Sequence, residues 1–441
     1  MDIVNLINKY SSGDKSTLKI VESLLMKIKN EDHQYNSIIH LNDENERNAK
    51  RLDNYFNENN KLFGRLHGIP IILKANIKTR DTMVTSCGSV LLRNHIAKQN
   101  AFIAKKLVDE GALLIAKANM SEFCNYVSNN SENGFSSLGG NTYSYFGPEK
   151  SVGGSSSGSA VAAAAEFSPI TIGTETDGSV VYPSSLNGVF GFKPTKQKIS
   201  NEGIIGISRF FDSLGIMSKS IDNIKYLYQV LTEDKNEFER ISNILIEKHS
   251  FENCSFETNF LNDLTSFLKS RNISFRDSNI CDEISIYHKD QDIICQTEFK
   301  QIILKEIEIP INQFFQKCRD QLLNSYYSDI NEIERSMNSI YDINGEYLLA
   351  IDRIKNYRKQ FDSNISNNSI DAILAITTCS NEKNSLDISS ISSILGLPHI
   401  TVPIPTNSQM PLGLSIIGKR NSDMPVIDLA KKIYEHYKSL N

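Results

Sequence analysis

The sequence predicts one α/β domain with a mixed, mainly parallel central sheet flanked by helices, together with a helical insertion. Three observations predict this class. A strand pattern, a helical pattern and a second strand pattern follow one another with short links between 68 and 116. Residues 235–370 are dense in Lys, Asn, Asp, Glu and Ile, unlike the residues on either side. Apolar strand and helix patterns like those of the first part return after 371, so the middle is interpreted as an insertion between two parts of one core.

The first segment of the chain is predicted to be helical. Apolar residues between 3 and 10 recur at helical spacing, and Ser16 or Thr17 is placed to cap a second helix. The stretch 42–60 is charged and rich in Asn, which predicts a solvated helix followed by a loop.

The core is predicted to begin with a buried strand at 68–73 (GIPIIL), followed by a helix at 101–110 and a strand at 112–116. This order, with short links, favours parallel strands joined by right-handed crossovers. The segment 151–194 is rich in Gly, Ser and Ala, and it contains a small apolar helix at 160–165 and an apolar run at 170–172.

The remaining elements divide between the insertion and the end of the chain. The insertion contains helical stretches such as 299–318, and no reactive side chains are grouped there. After it, the sequence predicts strands at 373–376 and 412–417, an apolar segment at 397–403, and a closing helix at 426–437.

Composition excludes several functional classes. Among 441 residues, 47 Lys and Arg oppose 52 Asp and Glu, and the formal charge of -5 argues against a general nucleic-acid binder. No apolar run approaches the roughly 18 residues of a membrane span. The seven cysteines form no CxxC pair and the eight histidines no HxxxH pair, which predicts neither a disulfide scaffold nor a zinc site. The N-terminus lacks the layout of a secretion signal, so a cytoplasmic protein is predicted.

Three local features carry chemistry. Lys74 ends the apolar strand, and burial there would lower the pKa of its amine and make it a usable base; a surface lysine at a strand end is the alternative. The segment 153–159 (GGSSSGS) leads into an Ala-rich helix and predicts an anion-binding turn, or else a flexible loop. The segment 173–183 (GTETDGSVVYP) predicts a tight turn that presents Ser179, or else an ordinary strand-to-helix turn.

Together these motifs resemble the amidase signature family. The similarity lies in GIPIILKANI around Lys74, GGSSSGSAVA around Ser155 and GTETDGS with PSSLNGVFGFKPT around Ser179. Further similar segments are ALLIAKANMSEF, DSLGIMSKS, GLPHITVPIP and PLGLSIIGKR, which together span nearly the whole chain. The resemblance implies a single amidase domain over 1–441, with a signature core at about 64–220, a diverged helical region at about 235–370 and a return to the core at about 371–441.

The resemblance also implies the site. Lys74 would be the base, Ser179 the nucleophile, and Ser155 the bridge between them, after a cis peptide bond that joins it to Gly154. Ser156 would be a supporting hydrogen-bonding residue. An oxyanion would be held by backbone amides of four consecutive residues, Thr176, Asp177, Gly178 and Ser179. No metal and no organic cofactor are implied.

The implied activity is hydrolysis of a C-terminal peptide amide or another small amide through an acyl-serine, as in bacterial peptide amidases. The alternatives are the glutamine-hydrolysing A subunit of a tRNA-dependent amidotransferase, an amide-forming acyltransferase with the same triad, and a non-enzymatic protein that keeps the fold. The amidotransferase motif is usually D-T-G-G-S-I-R, whereas this chain has Asp177 in place of its Gly and Val181 in place of its Arg. Ala75 replaces the usual Asp after the lysine. The expected partner is a small-molecule or peptide amide. No membrane partner is expected, and a homo-oligomer is left open.

Overall fold

The computed structural model describes residues 1–80, 83–126, 132–234, 240–252, 258–307, 345–378, 385–406, 410 and 412–440. The helices are α1 Ile3–Ser11, α2 Thr17–Glu31, α3 Asn45–Asn59, α4 Phe102–Asp109, α5 Ser157–Ala164, α6 Val181–Leu186, α7 Ile221–Thr232, α8 Lys248–Glu252, α9 Thr258–Ser270, α10 Ile280–Ser285, α11 His288–Ile307, α12 Glu346–Asn367, α13 Ser385–Leu395 and α14 Asp423–Leu440. The strands are β1 Ile38–Leu41, β2 Pro70–Lys74, β3 Leu113–Ala118, β4 Phe135–Ser136, β5 Gly140–Asn141, β6 Ile170–Glu175, β7 Phe190–Lys193, β8 Ser213–Ser218, β9 Asn243–Glu247, β10 Ser274–Ser278, β11 Ala372–Thr378, β12 His399–Ile404 and β13 Leu412–Gly418.

Eleven of these strands form one sheet, in the order β1-β3-β2-β6-β8-β7-β12-β13-β11-β9-β10. The predicted mixed sheet with flanking helices is confirmed. Its parallel share is smaller than the sequence suggested, since four of its ten pairings among the described residues are parallel and six are antiparallel. The parallel pairings lie where helices such as α4 and α5 separate successive strands, whereas β8, β7, β12 and β13 pair antiparallel.

The predicted elements of the core are present with small shifts of their ends. Strand β2 is fully buried because its residues are apolar on both faces, as expected for a strand covered by helices on both sides. It pairs in parallel with β6, with Leu73 opposite Ile172, so the two strands end side by side. This adjacency brings the residue at the end of β2 next to the turn that follows β6.

The N-terminal helices also follow the sequence. Of the two candidate caps for α2, Ser16 is the one used, because its side chain accepts a hydrogen bond from the amide of Lys19. The predicted solvated helix is α3, which still buries Ala49 and Leu52 against the protein.

The prediction that the insertion is helical requires a correction. Helices dominate the described part of 235–370, but the segment also contributes β9 and β10, which extend the central sheet beyond β11. In β9, Ile244 and Ile246 are buried, so alternate apolar residues form the inner face of a strand. The surrounding charged and Asn-rich residues hid this short pattern. The part of the predicted helix 299–318 after residue 307 lies outside the described residues.

Two further properties concern the whole described chain. Of its cysteines, Cys87, Cys124 and Cys295 are free thiols. Among the described residues, no helix combines the length and apolar character needed to cross a bilayer.

Candidate active site

Lys74 lies at the end of β2 and its side chain has no exposed surface. Its Nζ is 2.7 Å from Ser155 Oγ, 3.1 Å from Thr174 Oγ1 and 3.2 Å from the Thr174 carbonyl oxygen. Lys74 is therefore buried, as the apolar pattern of the strand predicted. The apolar residues of β2 fill the core, and the lysine follows them without reaching the surface.

Burial is also the main cause of a lowered pKa at Lys74, because a buried ammonium loses its hydration. Nearby groups oppose this effect by favouring the charged form, first Cys124 and then Asp212, Cys87 and Glu175. Desolvation outweighs them, so the amine is easier to deprotonate than a surface lysine.

Ser155 and Ser156 lie in a turn that begins α5. The peptide bond between Gly154 and Ser155 is cis, as the resemblance implied. Gly154 is required by close packing, since a Cβ at this position would lie 2.5 Å from Ser121 Oγ. Ser156 Oγ donates to the Thr174 carbonyl at 3.1 Å and accepts from the Thr174 amide at 3.3 Å. This pair of bonds ties the turn to β6.

Ser179 lies in the turn between β6 and α6, and its residual exposure is 9%. Its carbonyl oxygen accepts a hydrogen bond from the Ser156 amide at 3.1 Å, so the backbones of the two serine-bearing turns are in direct contact. Glu175 Oε2 accepts from the amides of Val180 and Val181 at 2.7 and 3.0 Å. The carboxylate of Glu175 thus bridges both ends of the turn that carries Ser179.

The turn also presents unused backbone donors. Gly178 has φ of +75°, a left-handed conformation that favours glycine. None of the described residues accepts a hydrogen bond from the amides of Asp177, Gly178 or Ser179. Free amides on consecutive residues can stabilise an oxyanion when they point at the atom where negative charge develops.

Three residues of this neighbourhood are not predicted by the sequence motifs. Thr174 provides two acceptors for Lys74, and Asn76 Nδ2 donates to Thr174 Oγ1 at 3.1 Å. Asp212 accepts from Thr176 Oγ1 at 2.6 Å, and burial raises the pKa of its carboxyl to about 6. Two signals were available in the sequence. Asn76 follows Lys74 by two residues, just beyond the end of β2, and Asp212 begins the segment DSLGIMSKS.

Among the residues that the structure describes, no group of three or more His, Cys, Asp or Glu is arranged to hold a metal ion.

Comparisons with known proteins identify relatives of this chain. A family model described as Amidase matches residues 19–259. A putative amidase of Schizosaccharomyces pombe is 35% identical over 227 residues, which cover 52% of this chain and 39% of that protein. The A subunit of the glutamyl-tRNA(Gln) amidotransferase of Deinococcus radiodurans is 37% identical over 196 residues, which cover 44% of this chain and 39% of that protein. The chain thus spans about two fifths of the length of these curated relatives.

A solved structure covers more of the chain. The peptide amidase from Stenotrophomonas maltophilia superimposes with a TM-score of 0.87 at 24% identity, over 99% of this chain and 97% of that one. At this identity the likeness concerns the fold, and it includes the described part of the diverged middle region.

Proposed function

The chain belongs to the amidase family, and from this premise we propose that it hydrolyses a C-terminal peptide amide or another small carboxamide through an acyl-serine on Ser179. The observation that carries the proposal is the contact of the buried amine of Lys74 with Ser155 Oγ at 2.7 Å. A lysine with a lowered pKa, bonded to a serine hydroxyl, is the arrangement that a general base requires.

The contacts of Lys74 are compatible with a neutral amine, which its burial favours. A neutral amine has two N–H bonds and one lone pair, whereas an ammonium has three N–H bonds and none. Thr174 supplies two acceptors, its carbonyl oxygen and its Oγ1, for the two N–H bonds. The reaction requires the neutral form, in which the lone pair accepts the proton of the Ser155 hydroxyl, whereas an ammonium donates to Ser155 Oγ.

The proposed reaction begins when Ser179 Oγ attacks the amide carbon. Its proton passes to Ser155, and Ser155 gives its own proton to Lys74. The negative charge on the former carbonyl oxygen is stabilised by the backbone amides of Thr176, Asp177, Gly178 and Ser179. Removal of one donor from such a site typically costs about 2.7–4 kcal/mol. Lys74 returns a proton to the leaving ammonia or amine, and water then releases the acyl group from Ser179. Ser156 holds the turn of Ser155 against β6.

A panel of amides tests the proposal. We expect release of ammonia or amine from at least one C-terminal peptide amide or small carboxamide, measured by chromatography of both products. Complete inactivity on such a panel, with free glutamine included, would contradict it.

The second candidate is the A subunit of an amidotransferase, favoured by the identity to the Deinococcus radiodurans protein. In that case glutamine hydrolysis would appear only after addition of a B-type partner protein. Val181 weighs against this candidate, because it replaces the Arg of the amidotransferase motif. An acyltransferase would use the same acyl-enzyme, and added amines would then divert product from the acid to a new amide.

Replacing Ser155 by alanine is expected to lower kcat by about 10²- to 10⁴-fold, the range associated with loss of a proton-transfer group. The fold should persist, because only one hydroxyl is lost from a turn that Ser156 still anchors. Steady-state kinetics and thermal unfolding would measure both effects. The matched control is Ser250→Ala, which removes a buried hydroxyl bonded to the Glu247 carbonyl and should leave kcat unchanged. A wild-type kcat in Ser155→Ala would remove Ser155 from the proton relay.

A further inference from the structure

The side chain of Asp177 has a set of partners that the reaction itself does not use. Ser389 Oγ donates to its Oδ1 and Ser390 Oγ to its Oδ2, both at 2.6 Å. Gln291 Nε2 donates to Oδ2 at 3.3 Å. The two serines lie on α13 and the glutamine on α11, so two helices from the second half of the chain bind one residue of the turn before Ser179.

The backbone of the same turn is held from both sides. Ser393 Oγ, on α13, donates to the carbonyl oxygen of Thr176, and Gln291 Nε2 donates to Ser393 Oγ at 3.2 Å. On the other side, Thr176 Oγ1 donates to Asp212 at 2.6 Å. Thr176 and Asp177, two of the residues whose amides are candidates for the oxyanion site, are therefore held by side chains on three separate segments.

Helix α13 is itself anchored at its C-terminal end. Arg358 Nε donates to the Ile394 carbonyl at 2.6 Å, and Arg420 Nη2 donates to the Leu395 carbonyl at 2.8 Å. Lys193, buried at the end of β7, donates to the Leu397 carbonyl at 2.6 Å. Cations at the C-terminus of a helix satisfy its last carbonyls and stabilise its dipole. The serines of α13 thus belong to a helix whose C-terminal end is held in place by three hydrogen bonds.

We propose that Asp177 is a positioning residue, through which α13 and Gln291 align the amides of the turn for the oxyanion. This inference rests on the proposed function. Helix α13 lies outside the segment 19–259 that the family model matches, so the alignment depends on a part of the chain beyond that segment. The amidotransferase motif has Gly at this position, and glycine has no side chain to accept the bonds of Ser389 and Ser390.

The mechanism predicts a specific kinetic signature. The oxyanion exists only in the transition state and the tetrahedral intermediate, so misaligned donors lower kcat while ground-state binding is retained. We expect Asp177→Ala, and the double variant Ser389→Ala with Ser390→Ala, to lower kcat at least about tenfold with KM within about threefold of wild type. Asp177→Asn should recover part of this loss, because its amide oxygen still accepts from one serine and its nitrogen can donate to the other.

The matched control is Asp53→Ala. Asp53 also accepts three hydrogen bonds, from Ser16 Oγ at 2.7 Å and from the amides of Thr17 and Leu18 at 2.7 and 3.1 Å, at the start of α2. Its loss should lower the thermal midpoint in the same way as Asp177→Ala but leave kcat unchanged. If Asp177→Ala fails to fold, the double variant gives the same test, since it leaves the turn intact.

Labelling of Ser179 by a fluorophosphonate separates this inference from the proposed function. We expect the wild type to be labelled and both the Asp177→Ala and the double variant to be labelled at least about tenfold more slowly, since the phosphonyl oxygen uses the same donors. Labelling of these variants at the wild-type rate, or a kcat no lower than that of Asp53→Ala, would overturn the positioning role alone. A wild type that is neither labelled nor active on amides would overturn both.

Discussion

Replacement of Lys74 by arginine is expected to reduce kcat by at least about 10³-fold, since general-base catalysis contributes up to ~10⁴-fold and a guanidinium stays protonated. Lys74→Met should be equally inactive, because methionine fits a buried site yet cannot accept a proton. The two variants distinguish loss of the base from loss of the positive charge, because arginine keeps a positive charge in the site and methionine removes it. Steady-state kinetics on the best amide of the panel, with thermal unfolding of each variant, would measure the effect.

The control is another buried lysine. Lys117 lies opposite Leu73 on the neighbouring strand β3, and its Nζ donates to the Ile77 carbonyl. Burial lowers the pKa of Lys117 to about 7, so a lowered pKa alone does not distinguish it from Lys74. What distinguishes Lys74 is its contact with Ser155. We expect Lys117→Met to lose stability and to keep kcat within about tenfold, which corresponds to ~1.4 kcal/mol of barrier. More than a tenth of the wild-type rate in Lys74→Arg would show that Lys74 is not the base.

The pH dependence follows from the same lysine. Burial lowers its pKa from the usual value of 10.5, so the neutral, active amine becomes populated below that pH. Values of kcat/KM should therefore rise with pH through the lowered pKa and then level off below 10.5. A kcat/KM that does not rise with pH anywhere below 10.5 would contradict a titrating base in the free enzyme.

Replacement of Ser179 by alanine is expected to have the second large effect on turnover. Turnover should fall to background, since the nucleophilic hydroxyl is lost, while the substrate should still bind. Calorimetric titration with the substrate would measure binding without turnover. The matched control is Ser184→Ala on α6, because the buried Ser184 hydroxyl has no hydrogen-bond partner among the described residues. That variant should keep both activity and stability, and residual first-order turnover in Ser179→Ala would refute the assignment.

The sequence predicted the parts of this molecule that local patterns encode. The apolar run before Lys74 predicts a buried strand, and the two serine-bearing segments predict the turns of Ser155 and Ser179. The parallel pairing of β2 with β6 then places Lys74 next to the turn of Ser179. The cis bond at Gly154 came from the resemblance alone.

What the sequence did not predict depends on contacts between distant residues. The bonds from Ser389 and Ser390 to Asp177 join positions more than 200 residues apart, and an isolated DISSISSIL segment indicates only a Ser-rich helix. Strand β9 was hidden for a related reason, since its stability comes from pairing with β11 and β10 rather than from its own short pattern.

The central claim is that an acyl group is carried by Ser179. Its most direct test is a single-turnover reaction of the wild type with an active amide, quenched in acid and followed by peptide mapping by mass spectrometry. The proposed mechanism predicts that the peptide containing Ser179 gains the mass of the acyl group, and that the corresponding peptide of Ser179→Ala gains none. Consumption of the amide in the first turnover without acylated Ser179, or with the acyl group on another residue, would contradict it.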